Sequence, residues 1–396
     1  MTTRREFLVK AGAVTAGAAA GMAMGPAALG GSLGRVLGQE KKLKLLILGG
    51  TGLLGPQVIR RAVASGHEIA MFNRGRTGPN LFPDIEHLQG DRYTDLSALE
   101  KAVADGREWD AVIDTFTYVP KTVTDAMDVL LPAMGQFIVI STISVYDNPE
   151  PGADEGSPLA QVDDAAAAGI TSHREVGQHY GAMKARVEKA AEERFPGKVC
   201  VIRPGLICGE RDTTGRYSYW PMRAREGGTM IGPGDGTDFV QYHDVRDLGK
   251  FTVTCAEKRL FETYTVDSPA DARTARSMID AAIRAAGATP EVEWIPSEFL
   301  AEQGVQYWQE MPVWIPNSEM PGRGRMSVAK ALAAGLTIRP EEDTARSVLE
   351  YVRTRGPEIR AERGDEVADQ WPVRIRGGLD AAREAEVLAA WRDREG

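Results

Sequence analysis

One stretch limits the fold more than any other: "KLLILGGTGLLG", Lys44 to Gly55, an apolar run that breaks into glycines at Gly49, Gly52 and Gly55 and leads straight into "GPQVIRRAVASG". A strand that turns this sharply into a helix needs a residue tolerant of positive φ. It also needs a helix packed close on the strand, and a backbone that a ligand can approach. The first N–H groups of such a helix point outward unpaired and favour a pyrophosphate. From Leu43 onward the same rhythm repeats. Short apolar strands ("HEIAMFNRG", "WDAVIDTFTY", "QFIVISTISVY", "KVCVIRPGLICG") alternate with amphipathic helices ("LSALEKAVADG", "VTDAMDVLLPAMG", "GAMKARVEKAAEERF"). Alternation of this kind implies parallel pairing through right-handed crossovers. The expected fold is therefore α/β, a Rossmann-type doubly wound parallel sheet with a smaller C-terminal substrate-binding lobe.

The glycine turn predicts a dinucleotide site, with Gly49, Gly52, Leu53, Leu54 and Gly55 against the phosphates. The end of the second strand selects the cofactor. A site for NAD usually places an acid there to bind both ribose hydroxyls. Here "MFNRGRTG" supplies Asn73, Arg74 and Arg76 and no acid. Arginine holds a 2′-phosphate through charge-assisted bidentate bonds, so NADP is expected ahead of NAD. Asp91 and Arg92 in "LQGDR" close the third strand, where the Asp91 carboxylate can accept from the adenine amino group.

Tyr180 and Lys184 in "QHYGAMKARVEKA" form a YxxxK at the start of a helix, one turn apart on one face. Free tyrosine has a pKa near 10. A neighbouring ammonium and a positive nicotinamide both favour its phenolate, so Tyr180 can move a proton while hydride passes to or from a cofactor.

These features together resemble the short-chain dehydrogenase/reductase superfamily, in its extended, NAD-dependent epimerase/dehydratase-like branch. The resemblance runs from Leu43 to about Leu248, through the glycine turn, "FIVISTISVY", YxxxK and "VIRPGLICG" with "YHDVRDL". It implies Thr142, Tyr180 and Lys184 as the catalytic set, with Lys184 also at the nicotinamide ribose, and dimerisation through the YxxxK helix. The sequence departs from the family at several points. "DTFTYVP" replaces the small residues at the fourth strand, so Asp114, Thr115 and Tyr118 are expected to border the cofactor differently. A long Ala- and Asp-rich segment separates Thr142 from Tyr180 and is expected to form a lid or partner contact. The arginine that sugar-nucleotide members carry is missing from "GPGDGTDFVQYHDVRDL". The "GRYSYWPMR" loop resembles atypical extended members, including relatives of plant chloroplast RNA-binding proteins. From it Arg216, Tyr219 and Arg223, with Tyr118 and Ser144, are expected at an anionic or sugar-like substrate, the alternative for the loop being lobe packing by its aromatics with solvated arginines.

Domain boundaries follow from composition. Residues 1–40 read as a signal and linker: "TTRREFLVK" pairs Arg4 with Arg5 ahead of the apolar "AGAVTAGAAAGMAMGPAALGG", the pattern of twin-arginine export. Residues 41–209 read as the dinucleotide-binding domain. Residues 210–340 read as a mixed lobe with a strand returning to the sheet near 239–248, and 341–396 as a helical tail. Beyond the leader no run of about 18 apolar residues occurs, so no stable span is expected after processing. The 396 residues carry 47 basic and 56 acidic side chains, a net charge of −9, which disfavours nucleic acid as a partner. Three scattered cysteines and five histidines show no ligand spacing, so no metal is expected.

Two functions fit this pattern. One is an NAD(P)-dependent oxidoreductase or epimerase working at a hydroxyl or carbonyl carbon. The other is a non-catalytic scaffold that holds a cofactor or nucleic acid. The export signal and the cofactor site are compatible because the twin-arginine route carries folded proteins. A dinucleotide loaded in the cytoplasm would then travel with the protein and be released slowly.

Overall fold

The computed structural model describes residues 41–212, 214–363 and 377–395, so the twin-arginine expectation lies outside the described residues. Seven parallel strands form the central sheet: β1 (Lys44–Leu48), β2 (Glu68–Asn73), β3 (Glu86–Gln89), β4 (Ala111–Asp114), β5 (Phe137–Ile140), β6 (Val199–Pro204) and a returning strand, Thr263–Val266. The last of these pairs with β6, and the order across the sheet is β3-β2-β1-β4-β5-β6 followed by Thr263–Val266. Leu48 lies opposite both Phe72 and Asp114, so β1, β2 and β4 end at one level. The strand order reverses at β1/β4, and a crevice opens there above the carboxyl ends.

Alternation along β1 builds two separate cores. Leu45 and Ile47 face helix α1 (Gly55–Ala64) and the helix Val245–Glu257, packing on Val58, Ile59, Leu248 and Phe251. Leu46 and Leu48 face the other side, against Leu99, Val123, Met127 and Val187. Both faces are covered, which is why β1 is apolar throughout rather than alternating.

The returning strand is Thr263–Val266 and not the expected 239–248. That stretch instead forms a two-residue strand, His243–Asp244, paired with Ile207–Cys208, and then enters the helix Val245–Glu257. Asp244 caps the helix by accepting from the Arg246 N–H, and its apolar face then follows. The region expected as a helical tail holds the helices Glu341–Arg363 and Ala381–Glu395, which pack on the lobe. Ala345, Val348, Val387 and Leu388 share one core with Tyr217, Trp220, Tyr242 and Trp314, so the closing helices belong to the lobe. Among the described residues no helix is long and apolar enough to cross a membrane.

The glycine turn follows its physics. Gly49 holds φ of +114°, and a Cβ there would lie 2.2 Å from Thr115 Oγ1. A Cβ on Gly55 would lie 2.4 Å from the Gly50 Cα, so α1 presses backbone against backbone on the turn. Gly55→Ala must force that contact apart. It is expected to cost about 1–3 kcal/mol in denaturant unfolding and to weaken dinucleotide binding. Unchanged stability would show that the contact is not tight.

Candidate active site

A cleft of about 740 Å³ lies over the carboxyl ends of β1, β2, β4, β5 and β6. All the residues expected to bind a cofactor line it, as do Thr142, Tyr180, Lys184, Tyr118, Ser144 and Arg216. Its floor is the glycine turn. Among the described residues the N–H groups of Gly52, Leu53, Leu54 and Gly55 donate to no protein atom. No acidic side chain stands in the first turn of α1, and a Cβ on Gly52 would meet nothing within 4 Å. Open space above unpaired donors at a helix start fits a pyrophosphate.

At the end of β2, Asn73 serves the backbone. Its amide donates to the Gly49 carbonyl at 2.7 Å and its oxygen accepts from the Gly75 N–H at 2.8 Å. This ties the loop to the turn and leaves Arg74 and Arg76 exposed on the rim, with no carboxylate partner among the described residues. Asp91 accepts from the Tyr93 N–H at 3.1 Å. Arg92 departs from the expected cofactor role. Its guanidinium lines the cleft but grips the fully buried Asp114 with both terminal nitrogens and also donates to the Phe116 carbonyl. It braces the β4 end from inside. Thr115 donates to the Leu48 carbonyl at 3.0 Å, filling the space that Gly49 leaves.

Thr142 ends β5 and starts a short turn, accepting from the Ser144 N–H at 3.1 Å. The helix Tyr180–Arg194 begins directly against this turn, where a Cβ on Gly181 would lie 1.9 Å from the Ser144 carbonyl oxygen. That approach brings Tyr180 beside Thr142. A buried lock holds the helix in place: Arg203 bonds Glu188 at 2.6 Å, and the Ser141 hydroxyl donates to the same carboxylate. Sequence reasoning missed this lock because its members lie on three separate elements.

Two expected substrate residues are elsewhere. Tyr219 is buried in the lobe core, with its ring 5.0 Å from that of Trp220. Arg223 is paired to Glu384 at 2.6 Å and donates to the carbonyls of Gly227 and Thr229. Both pack the lobe because the helix Tyr219–Glu226 turns them away from the cleft. Sequence reading also missed Trp308, Arg323, Asp212, Tyr93 and His173, all of which line the cleft. The residues Trp308 and Arg323 sit in irregular chain more than 160 positions beyond Thr142, where no periodicity signals them. The long segment before Tyr180 roofs the cleft. The backbone N–H of His173 donates to the Tyr93 hydroxyl at 3.2 Å, and its ring meets Phe116 at 5.1 Å.

A family model for the NAD-dependent epimerase/dehydratase family matches residues 45–266. The chain belongs to this family. Among solved structures, UDP-N-acetylglucosamine 4-epimerase from Bacillus cereus is 16% identical, with 78% of this chain and 99% of that chain covered at a TM-score of 0.57. UDP-glucose/N-acetylglucosamine 4-epimerase from Campylobacter jejuni is also 16% identical, covering 78% and 98% at 0.56. UDP-glucuronic acid 4-epimerase from Bacillus cereus, in complex with NAD, is 14% identical, covering 82% and 99% at 0.54. These likenesses establish the fold. No curated protein matches the chain.

This epimerase/dehydratase-family enzyme carries its YxxxK with an unexpected charge balance. Burial raises the Tyr180 hydroxyl above the usual phenol range, while the Thr142 hydroxyl and the Arg216 charge pull it back. Lys184 does not supply that pull. Its amine is turned to the Thr117 carbonyl at 2.7 Å, the Thr117 hydroxyl and the Ile140 carbonyl. Burial among neutral acceptors brings Lys184 down to about 7, against the upward pull of Asp114 and Glu188. Tyr180 therefore holds its proton at neutral pH in this state.

A lysine depressed in the fold and ordinary in the unfolded chain makes stability rise with pH between about 7 and about 10. In that window the unfolded state binds the extra proton. The unfolding free energy of the cofactor-free wild type minus that of Lys184→Met should grow over this range, at roughly 1.4 kcal/mol per pH unit at most. A flat difference would mean that the buried amine titrates normally.

Proposed function

We propose that this enzyme is an NADP(H)-dependent epimerase or oxidoreductase acting at a hydroxyl-bearing or carbonyl carbon of a sugar-like substrate, with Tyr180 as its acid and base. The observation that carries the reading is convergence. Thr142, Tyr180 and Lys184 line one cleft with the unpaired N–H groups of the glycine turn, although they come from three stretches of chain. When bound there, the dinucleotide supplies hydride exchange at the substrate carbon. The protein supplies the rest. Thr142, held by the Ser144 N–H, orients the reacting oxygen. Tyr180 as the phenol donates its proton to that oxygen when a carbonyl is reduced, and as the phenolate so formed takes a proton when a carbinol is oxidised. Lys184 lines the same cleft and, on this reading, contacts the nicotinamide ribose by exchanging one of its Thr117 or Ile140 acceptors for a ribose hydroxyl. The roof around His173 and the Tyr118 ring, 5.9 Å from that of Tyr180, limits water at the reacting end.

The rim arginines favour NADP over NAD. Arg74 and Arg76 are exposed, lie at the end of β2 and, among the described residues, pair with no acid that would repel a 2′-phosphate. Export in the folded state, with cofactor loaded beforehand, and pairing of two copies through the Tyr180–Arg194 helix belong to the same reading.

Two substitutions test it. Tyr180→Phe should lower turnover by about 10²–10⁴-fold while NADPH affinity stays within error. An active Tyr180→Phe enzyme would remove the assignment. Replacing Arg74 and Arg76 together by Ala should weaken NADPH at least tenfold and leave NADH unchanged when the two affinities are measured by fluorescence titration. An equal loss for both cofactors would assign the arginines to some other contact.

A further inference from the structure

Arginines inside this protein are paired with acids as a rule. Arg92 holds Asp114, Arg203 holds Glu188, Arg223 holds Glu384, Arg246 holds Asp244 and Arg339 holds Asp247. Among the described residues two half-buried arginines, Arg216 and Arg323, have no acid at ion-pair distance, and both line the cleft. Both stand beside one indole, their guanidinium carbons 5.2 and 5.5 Å from the centroid of Trp308. Arg216 Nε donates to the Thr214 hydroxyl at 3.1 Å, and that hydroxyl donates to Asp212 at 2.7 Å, so the side chain is aimed by neutral contacts. Asp212 and Asp267 are the acids nearby, and neither reaches ion-pair distance of the two guanidinium groups. Burial and the Arg216 charge lower the Arg323 pKa, and the Asp267 charge offsets them only in part.

The space behind the pair is small. The adjoining cavity, bounded by Ile143, Leu206, Val240, Gln241, Trp308 and Arg323, has a volume of about 20 Å³. That is room for about one water molecule and none for a nucleobase. Arg216 also acts electrostatically on Tyr180, so the cationic pair lies at the same end of the cleft as the acid/base.

We propose that Arg216 and Arg323, both beside Trp308, hold a compact oxyanion of the substrate, a carboxylate or a phosphate monoester, with no nucleoside beyond it. This rests on the function proposed above and narrows its substrate class. Guanidinium groups suit either anion through bidentate, charge-assisted bonds, and the Trp308 ring lies near both. The occupant would differ from the UDP-sugars named for the solved structures, because the cavity next to Arg323 is too small for a nucleobase.

The test is calorimetric titration of the NADP-loaded protein, at low ionic strength, with inorganic phosphate, glucuronate, glucose 6-phosphate, glucose and UDP. Phosphate and at least one of the two anionic sugars should bind, and glucose should not. Which of the sugars binds more tightly separates carboxylate from phosphate monoester. Arg216→Ala and Arg323→Ala should each weaken anion binding at least tenfold, Arg323→Lys less so, with NADPH affinity retained as evidence of folding. Tyr180→Phe should leave anion binding intact, which separates this claim from the acid/base assignment. Anion binding that ignores both Ala variants would overturn the proposal. So would Arg323-dependent binding of UDP more than tenfold tighter than that of phosphate.

Discussion

The cleft rests on two places where backbone meets backbone with no Cβ between. At one, Gly55 presses against Gly50 and sets α1 directly on the end of β1. At the other, Gly181 presses against the Ser144 carbonyl and sets the Tyr180 helix on the turn after β5. The first contact leaves a row of unpaired N–H groups facing upward. The second puts a phenol beside a threonine hydroxyl. Each is a steric condition that glycine alone meets, and together they fix both ends of the space in which a dinucleotide and its reaction partner would lie.

Charge is arranged around that geometry in two registers. Inside the fold, acids and bases are matched. Arg92 braces Asp114 under the crevice, and Arg203 with Ser141 clamps Glu188 one turn beyond Lys184. Breaking one partner of such buried pairs is costly, because the other is left charged and dry. At the cleft surface, Arg74 and Arg76 at one end and Arg216 and Arg323 at the other have no acid at ion-pair distance among the described residues. Lys184 stands between these registers, solvated only by carbonyl and hydroxyl oxygens. Interior pairing holds the scaffold rigid, and the uncompensated cations mark where anionic ligand groups belong.

Much of this was legible in the sequence, for a reason that depends on distance along the chain. The glycine turn, the alternating strands and YxxxK are local patterns, and local patterns survive in one dimension. They yielded the parallel sheet and the residues that line its crevice. Assembly of the lobe was less legible. The "GRYSYWPMR" loop holds Arg216 in the cleft but sends Tyr219 and Arg223 into packing, because a helix starts between them and one turn decides which side each faces. The returning strand was misplaced for a similar reason. The stretch 239–248 is apolar enough for a strand, yet Asp244 caps a helix there. Arg92 was assigned to the cofactor because its true partner, Asp114, lies on another strand, 22 residues away. Trp308 and Arg323 carried no sequence signal, since their meaning lies in their nearness to Arg216.

The central claim is that the glycine turn carries a dinucleotide whose reacting ring meets Tyr180. The most direct test is a crystal structure of the protein with NADP⁺ bound. It should show the pyrophosphate on the N–H groups of Gly52 to Gly55, the 2′-phosphate between Arg74 and Arg76, and the nicotinamide in van der Waals contact with the Tyr180 side. A dinucleotide lying elsewhere, or a nicotinamide directed away from Tyr180, would contradict the account.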